Sequence, residues 1–325
     1  MSSSINDKYS DFYDVEDEDR FRKYCKKMSE WKNGLSNSAN PNSVFSRFFE
    51  LLKYHYLYKT IRGLYSRSQD NPHNELGFNT AITNLIEAGY VHFLTITIRA
   101  LIEPQSEKPQ KRINSLRSII DDIAKNAHLI TRECYLAICN LPFDYQKAEF
   151  DYQQKSALNT QEFSPDIRFK WRVGDSKGPF AYQESEKRHE LFDKISGTSF
   201  DSRNRNDTIR LDIFKQLICQ LGSCSCIKDF ANDNFAHFSI TTPKNKQNSV
   251  TFNRVEKCIE DLFRIYNYVN EYLLGKGKTS PKFILPIDMW KNIDKKWALN
   301  EQEAIDIYND IEAEMKKRNI KALDI

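Results

Sequence analysis

The feature that most constrains the fold is an apolar stretch that runs from Phe78 to Pro104, FNTAITNLIEAGYVHFLTITIRALIEP. Apolar residues fall on nearly every side of a helical wheel drawn through it, which predicts a helix in the middle of a hydrophobic core. Four polar residues at spacings of 3, 4 and 4 are expected to form one stripe: His92, Thr95, Arg99 and Glu103. Because burying an unpaired charge is costly, the stripe is either an internal ion-pair network or the floor of a site.

The remainder of the chain indicates an all-α fold. Its 325 residues include only 10 Gly and 10 Pro, which argues against a turn-rich β architecture. Helical periodicity begins after Ser43, which follows Pro41-Asn42 and is a suitable helix N-cap. The formal net charge of +3 is too small to demonstrate nucleic-acid binding by itself.

No membrane span or secretory signal is predicted. No run approaches the roughly 18 apolar residues that a transmembrane helix needs, and the N-terminus MSSSINDKYSDFYDVEDEDR is polar and acidic. We therefore expect a soluble cytoplasmic protein with no membrane partner.

The cysteines allow two interpretations. There are seven, an odd number, spread mostly through apolar helical stretches. One interpretation is a zinc site made by Cys219, Cys224, Cys226 and His237, but these residues lack the paired spacing of structural zinc ligands. We therefore predict reduced, buried thiols that act as small hydrophobic side chains, with no metal and no cofactor.

Two regions flank or interrupt the helical pattern in the first two thirds of the chain. Residues 1–42 are polar, which predicts a solvated arm, although a short helix over Phe21–Trp31 is an option. Residues 141–206 lack a clean period and are predicted to be an irregular insertion. A face made by Leu191, Phe192 and Ile195 allows one short helix within it.

The periodic regions give the predicted core. Residues 43–140 and 207–275 carry the helical pattern and are expected to form one bundle. Residues 276–325 form a C-terminal extension. It ends in an amphipathic helix that begins near Asn300 and carries an apolar stripe of Ala304, Ile307, Tyr308, Ile311 and Met315.

Three short pieces carry a resemblance to a known family: TIRALIEP (Thr97–Pro104), RINSLRSIID (Arg112–Asp121) and KDFANDNFAHFS (Lys228–Ser239). Together they resemble the HEPN superfamily and, within it, the AbiU-type abortive-infection branch. In that branch a helix ending in an arginine and an acidic residue before proline precedes a Ser-Leu helix, and an Arg-Asn-…-Ala-His signature follows much later. The similarity extends over about residues 43–275, interrupted by the insertion.

The resemblance implies a HEPN-like helical bundle that forms a homodimer. In such dimers two Arg-x(4–6)-His motifs meet across a shared cleft, and many members cut RNA without a metal. That reaction needs a base for the 2′-hydroxyl and a cation for the charge that develops on the phosphate. Carried onto this chain, the motif gives His237 as general base or acid and Asn232 as an orienting residue, whereas the arginine position is Ala231.

The missing arginine requires another cation if the chemistry is retained. Arg99 is the leading candidate, since it lies on the central helix; its alternative role is an internal ion pair with Glu103 at i, i+4. The further binding candidates are His92, Glu103, Arg203 and Arg210.

Three functional hypotheses follow. The first is a cytoplasmic protein of prokaryotic antiviral or toxin–antitoxin-type defence that binds RNA and acts as a metal-independent endoribonuclease. The second is a non-catalytic HEPN-like module that dimerises or holds a partner defence protein, with Ala231 marking the lost activity. The third is nucleotide binding at the same cleft.

Overall fold

The computed structural model describes residues 15–69, 80–106, 108, 113–159, 181–232, 251–275 and 301–321. These residues form helices and no strand, so the predicted all-α fold class is confirmed. One isolated β-bridge joins Thr131 and Thr208.

In this part of the chain the α-helices are α1 (Glu18–Ser36), α2 (Val44–Gln69), α3 (Thr80–Ile102), α4 (Leu116–Lys125), α5 (Arg132–Ala137), α6 (Tyr145–Asn159), α7 (Ala181–Ser196), α8 (Leu211–Leu221), α9 (Ser225–Ala231), α10 (Phe252–Tyr268) and α11 (Glu301–Lys321). Short 3₁₀ turns lie at Ala127–Leu129, Phe200–Ser202 and Gly222–Cys224, and a π-helical turn, Val269–Leu273, continues α10.

The chain divides into two compact units. Unit 1 is built from Met1–Trp31, Asp122–Lys215 and Tyr272–Gly275, and unit 2 from Lys32–Asp121, Gln216–Glu271 and Lys276–Ile325. This division differs from the predicted one, because residues 43–140 and 207–275 are shared between the units instead of forming one bundle.

Unit 1 is organised around a fully buried arginine, Arg132, at the start of α5. Its Nε donates to Asp207 Oδ2 at 2.8 Å, and its Nη1 lies 2.7 Å from Asp193 Oδ1. Asp193 also accepts from Arg203 at 2.6 Å. Because a buried charge is tolerated only when it is paired and hydrogen-bonded, this network ties α5 to α7 and to the segment before α8.

Helix α1 contradicts the prediction that residues 1–42 form a solvated arm. Tyr24, Met28, Trp31 and Leu35 recur at helical spacing and are buried. The Trp31 indole donates its N–H to Asp122 Oδ2 at 2.7 Å. The short-helix option is therefore confirmed and extended, while residues 1–14 lie outside the described part.

Much of residues 141–206 is helical, so the prediction of an irregular insertion is wrong for α6 and α7. Phe192 and Ile195 are buried on α7, as the apolar face of that segment predicted. Helix α7 packs against both α5 and α6. Residues 160–180 lie outside the described part.

Unit 2 contains the helices whose periodicity was clearest. The backbone N–H of Ser46 donates to Ser43 Oγ at 3.1 Å, which confirms Ser43 as the N-cap of α2. Helix α11 packs on α2 through Ile307 and Ile311, both buried, so the predicted amphipathic C-terminal helix is also confirmed.

The apolar helix α3 is less enclosed than its composition predicts. It packs against α2 and α9, and Leu94, Ile98 and Leu101 are buried. Leu85, however, is 72% exposed and Ile96 is 41% exposed. These two neighbouring helices cover only part of its circumference, so the expectation of a helix in the middle of the core is wrong for this side.

One helix of the described residues, over Thr83–Ile102, is long and apolar enough to cross a membrane by length and composition alone. Core helices of soluble proteins meet the same criterion, so the segment is weak evidence for a membrane span.

Candidate functional site

Helix α9 connects the core of unit 2 to the Asn232–His237 motif. Ile227 and Ala231, four residues apart, are buried, and the helix packs against α3. Lys228 and Asn232 are also four residues apart and therefore share another side of α9. The backbone N–H of Asn232 donates to the carbonyl oxygens of Lys228 and Asp229, so Asn232 caps the C-terminus of α9.

An ion pair joins α9 to the end of α3. Lys228 Nζ lies 3.4 Å from Glu103 Oε2, and both side chains are about one third exposed. Arg99, which is half-buried on α3, has no hydrogen bond or ion pair within the described residues. The predicted alternative of an Arg99–Glu103 pair is therefore wrong, because α9 supplies a different cation to Glu103.

The side chain of Asn232 carries an unused acceptor. Its Oδ1 atom is buried and has no hydrogen-bond partner among the described residues. A buried amide oxygen without a donor costs on the order of 1–3 kcal/mol relative to a satisfied one. This atom is therefore an unused acceptor, which a bound group could reach once the side chain turns outward. We refer to Arg99, Glu103, Lys228 and Asn232 as the α3–α9 site.

The outer side of α3 follows a regular pattern. Residues at spacings of 4, 3, 4, 3 and 4 are exposed or half-buried: Leu85, Gly89, His92, Ile96, Arg99 and Glu103. Thr95 is instead buried, and its hydroxyl donates to the Val91 carbonyl oxygen at 2.8 Å. The predicted polar stripe is thus correct for His92, Arg99 and Glu103 but not for Thr95.

The position of the missing motif arginine faces the protein interior. Ala231 has no exposed surface. An arginine at this point would have to be buried or would displace its neighbours, so the described structure offers no open space for a motif cation there. His237 lies outside the described residues, and its position relative to Arg99 stays a prediction.

Two predicted binding residues belong to unit 1 and serve it internally. Arg203 forms a two-pronged ion pair with Asp193, and its guanidinium lies 4.7 Å from the Phe200 ring centroid. Arg210 lies 3.6 Å from Asp212, in an exposed pair. Neither belongs to the unit that contains the α3–α9 site.

The cysteine prediction needs a correction. Cys224, at the end of the 3₁₀ turn before α9, forms a disulfide with Cys258 of α10. Both residues are buried as predicted but are not reduced. The five other cysteines are free as predicted, but of these only Cys134 is buried. A sulfur atom held in a disulfide is not a zinc ligand. The described residues contain no cluster of three or more His, Cys, Asp or Glu suited to a metal.

A cavity of about 590 Å³ lies on another side of α3. Its walls include Phe45 and Phe49 of α2 and Phe93 and Thr97 of α3. The nearby Arg47 donates Nη1–H to the Asn114 carbonyl oxygen at 3.1 Å. The cavity is therefore mainly apolar, and His92, Arg99 and Glu103 are not among its described walls.

Comparison of the chain with protein-family models, with curated proteins and with solved structures found no match. The assignment of function therefore depends on the residues and geometry of the α3–α9 site.

Lys228 was not among the residues predicted for the site. It belongs to the KDFANDNFAHFS piece and lies one helical turn before Asn232, so the i, i+4 spacing was a usable signal. Its partner Glu103 is 125 positions earlier in the sequence, and only the fold brings the two together.

Proposed function

We propose that this chain is a HEPN-like RNA-binding protein of prokaryotic antiviral or toxin-type defence, acting in the cytoplasm as a homodimer. The observation that carries the proposal is the guanidinium of Arg99, which has no partner among the described residues and lies on the same face of α3 as Glu103, whose partner Lys228 begins the motif piece. RNA presents phosphates that favour cations, and a half-buried arginine with no carboxylate partner is suited to that contact.

The geometry supports RNA as the ligand in two further ways. Lys228 supplies a second cation, and Glu103 limits the net charge, which moderates attraction to anions in general. Asn232 Oδ1 is an acceptor with no donor among the described residues, and once the side chain turns outward it would suit the donor of a ribose 2′-hydroxyl, which DNA lacks.

Cleavage without a metal follows if His237 reaches the bound ribose. In that reaction His237 withdraws the proton from the 2′-hydroxyl, the oxygen attacks the adjacent phosphorus, and the 5′-oxygen leaves with a proton from an acid. Arg99 would neutralise the charge that develops on the phosphate, in place of the arginine missing at position 231.

RNA binding is tested by fluorescence anisotropy with a labelled single-stranded RNA, for the wild type, Arg99→Ala and Arg117→Ala. Arg117 is the matched control, because it is a half-buried arginine of unit 2 that is already paired with Asp121 at 3.0 Å. Arg99→Ala is expected to weaken binding about tenfold and to reduce the slope of log affinity against log salt by about one.

Glu103→Gln gives the opposite sign in the same assay. Removing this carboxylate frees Lys228 for phosphate, so binding is expected to strengthen by several-fold. Wild-type protein that does not bind RNA, or an Arg99→Ala variant that binds like Arg117→Ala, would refute the RNA-binding proposal.

Cleavage needs a separate experiment. Wild type and His237→Ala are incubated with total cellular RNA in EDTA, and the products are resolved by size. Cutting by the wild type that is lost in His237→Ala supports the metal-independent reaction. No cutting under any condition, including infection of an expressing host, rules out the nuclease and leaves the binding activity.

The exposed apolar positions of α3 favour a second candidate, a non-catalytic module that dimerises or holds a partner defence protein. Leu85 and Ile96 are large and exposed, and the buried Ala231 leaves no motif cation. Arg99→Ala separates the two candidates. A module that dimerises or holds a partner is expected to stay bound to that partner in solution after this substitution, whereas an RNA-binding protein is expected to lose RNA affinity.

A further inference from the structure

The Cys224–Cys258 disulfide encloses the whole candidate motif. The two cysteines are 34 positions apart, and Lys228, Asn232 and His237 all lie between them in the sequence. Formation of the bond therefore closes a covalent ring in the chain that includes α9, whereas in the reduced chain α9 is held by its non-covalent packing against α3 and by the Lys228–Glu103 ion pair.

The bond also acts close to the α3–α9 contact. Cys224 immediately precedes α9, and Lys228, which pairs with Glu103, follows it by about one helical turn. A hydrogen bond from Ser223 Oγ to Asp261 Oδ2 at 2.9 Å joins the same turn to α10, but it is exposed and therefore weak. The disulfide is thus a covalent link between this end of α9 and α10.

The two cysteines are buried and lie at a distance that suits a disulfide. Cys224 is 0% exposed and Cys258 is 1% exposed, and their Cα atoms are 5.3 Å apart, within the usual range for a bonded pair. Reduction leaves two thiols that still pack as small hydrophobic groups. Both redox states are therefore compatible with the same core.

We propose that this disulfide is a redox-controlled closure that fixes α9 against α10 and thereby sets the RNA affinity of the α3–α9 site. The RNA part of this inference rests on the proposed function. In the oxidised protein the N-terminal end of α9 is tied to α10, so that Lys228 and Asn232 keep their positions at the end of α3, where a bound phosphate can compete with Glu103 for Lys228. In the reduced protein the N-terminal end of α9 opens more often, and RNA affinity falls.

The chemistry is thiol–disulfide exchange with a low-molecular-weight disulfide such as oxidised glutathione. The thiolate of one cysteine attacks a sulfur of that disulfide, and one small thiolate leaves and takes up a proton. The second cysteine, as its thiolate, then attacks the mixed disulfide, releases the second small thiol and forms the Cys224–Cys258 bond. Two protein thiols are oxidised and one small disulfide is reduced to two thiols.

The bond itself is tested by counting thiols in the full-length protein. Intact mass is measured after alkylation in denaturant, with and without prior reduction. Five free cysteines are described beside the bonded pair, so we expect five labels before reduction and seven after it. Seven labels before reduction, in protein treated with oxidised glutathione, would overturn the proposal.

The effect on α9 is tested by hydrogen exchange over Ser225–Asn232. Oxidised wild type is compared with reduced wild type and with a Cys224→Ala/Cys258→Ala double variant. Cys226→Ser is the matched control, since Cys226 is a free, half-buried cysteine on α9. We expect at least about tenfold faster exchange after reduction, below the roughly 600-fold limit that chain entropy sets for a ring of this size. Reduced wild type keeps both side chains and serves if the double variant does not fold.

RNA affinity is measured on the same samples and separates the two proposals. An affinity that falls about tenfold on reduction, in step with exchange, supports the closure as a control of the site. Exchange that stays within about twofold overturns the closure. Faster exchange with unchanged affinity overturns its link to RNA. If neither the oxidised nor the reduced protein binds RNA, both the proposed function and the proposed control of RNA affinity fail. The hydrogen-exchange measurement then still decides whether the disulfide restrains α9.

Discussion

The sharpest test of unit 1 is the pH dependence that its buried histidine predicts. His189 is 2% exposed, and its Nε2–H donates to the Phe143 carbonyl oxygen at 2.9 Å. Its Nδ1 faces Arg132 Nη1 at 3.4 Å and must accept, because arginine only donates. Burial first, with the positive charge of Arg132 adding to it, lowers the pKa of His189 from 6.5 to about 4, against the raising effect of the Phe143 carbonyl.

The sign and size of the effect follow from proton linkage. Below about pH 6.5 the unfolded chain binds a proton at His189 that the folded chain refuses until the pH reaches about 4. The contribution of His189 to the free energy of unfolding is therefore fully present above this window. Within the window the free energy of unfolding falls as the pH is lowered, by at most about 1.4 kcal/mol per pH unit. Across the window the loss approaches about 3 kcal/mol.

A neighbouring carboxylate acts in a different range. Burial alone would raise the pKa of Asp193, but hydrogen bonds and charges from Arg203 and Arg132 outweigh it and lower that pKa below 3.8. Its contribution is present above the unfolded pKa and is lost only as pH falls through the lower folded value. Between about pH 4.5 and pH 6.5 the histidine effect is therefore largely separate from that of Asp193.

The assay is urea unfolding followed by circular dichroism at several values from about pH 7.5 to about pH 4.5. His189→Gln keeps a donor for Phe143 and an acceptor for Arg132 but does not titrate, and exposed His128→Gln is the control. We expect wild type and His128→Gln to lose about 2–3 kcal/mol more over this range than His189→Gln does. Equal pH slopes in wild type and His189→Gln would refute the reasoning.

Three further changes test other contacts. Arg132→Met removes the buried partner of two half-buried carboxylates, Asp193 and Asp207, and is expected to cost about 3–5 kcal/mol in urea unfolding; a cost below about 1 kcal/mol would mean that the network is not stabilising. Asp122→Asn breaks its half-buried ion pair with Lys27 at 3.0 Å and weakens the acceptor of Trp31, so a loss of about 1 kcal/mol is expected, seen as a lower melting temperature. Ile96→Asp places a charge on the exposed apolar side of α3; if the proposed homodimer forms through this side, light scattering is expected to show a monomer with helicity retained, whereas the same mass as the wild type would contradict a dimer contact here.

Local patterns sufficed for the helices whose apolar faces repeat clearly. Ser43 was identifiable as a cap because its position before an apolar period suits a hydroxyl acceptor. Ile307 and Ile311 were predicted as the packed side of α11 from spacing alone. In these cases the sequence within one helix already contains the information that decides the structure.

Long-range pairing explains the predictions that were wrong. Helix α1 is rich in charge, and its burial becomes evident only once Asp122, 91 positions later, is seen to accept from Trp31. The spacing of Cys224 and Cys258 carries no signal for a bond until folding brings them together. The choice of Lys228 over Arg99 as the partner of Glu103 likewise depends on how α9 packs, which no local period encodes.

Unit 1 is built from segments that are far apart in the sequence, and this affects the order in which the protein folds during synthesis. The Tyr135 hydroxyl donates to the carbonyl oxygen of Tyr272 at 2.8 Å, so α5 completes its hydrogen bonds with a residue made 137 positions later. Gly275, with φ of +61°, brings its backbone against Arg188, where a side chain would collide. The ribosome must therefore deliver most of the chain before the first-made helices reach their final environment. A nascent chain stopped short of Tyr272 would expose unfinished apolar surface to chaperones and proteases.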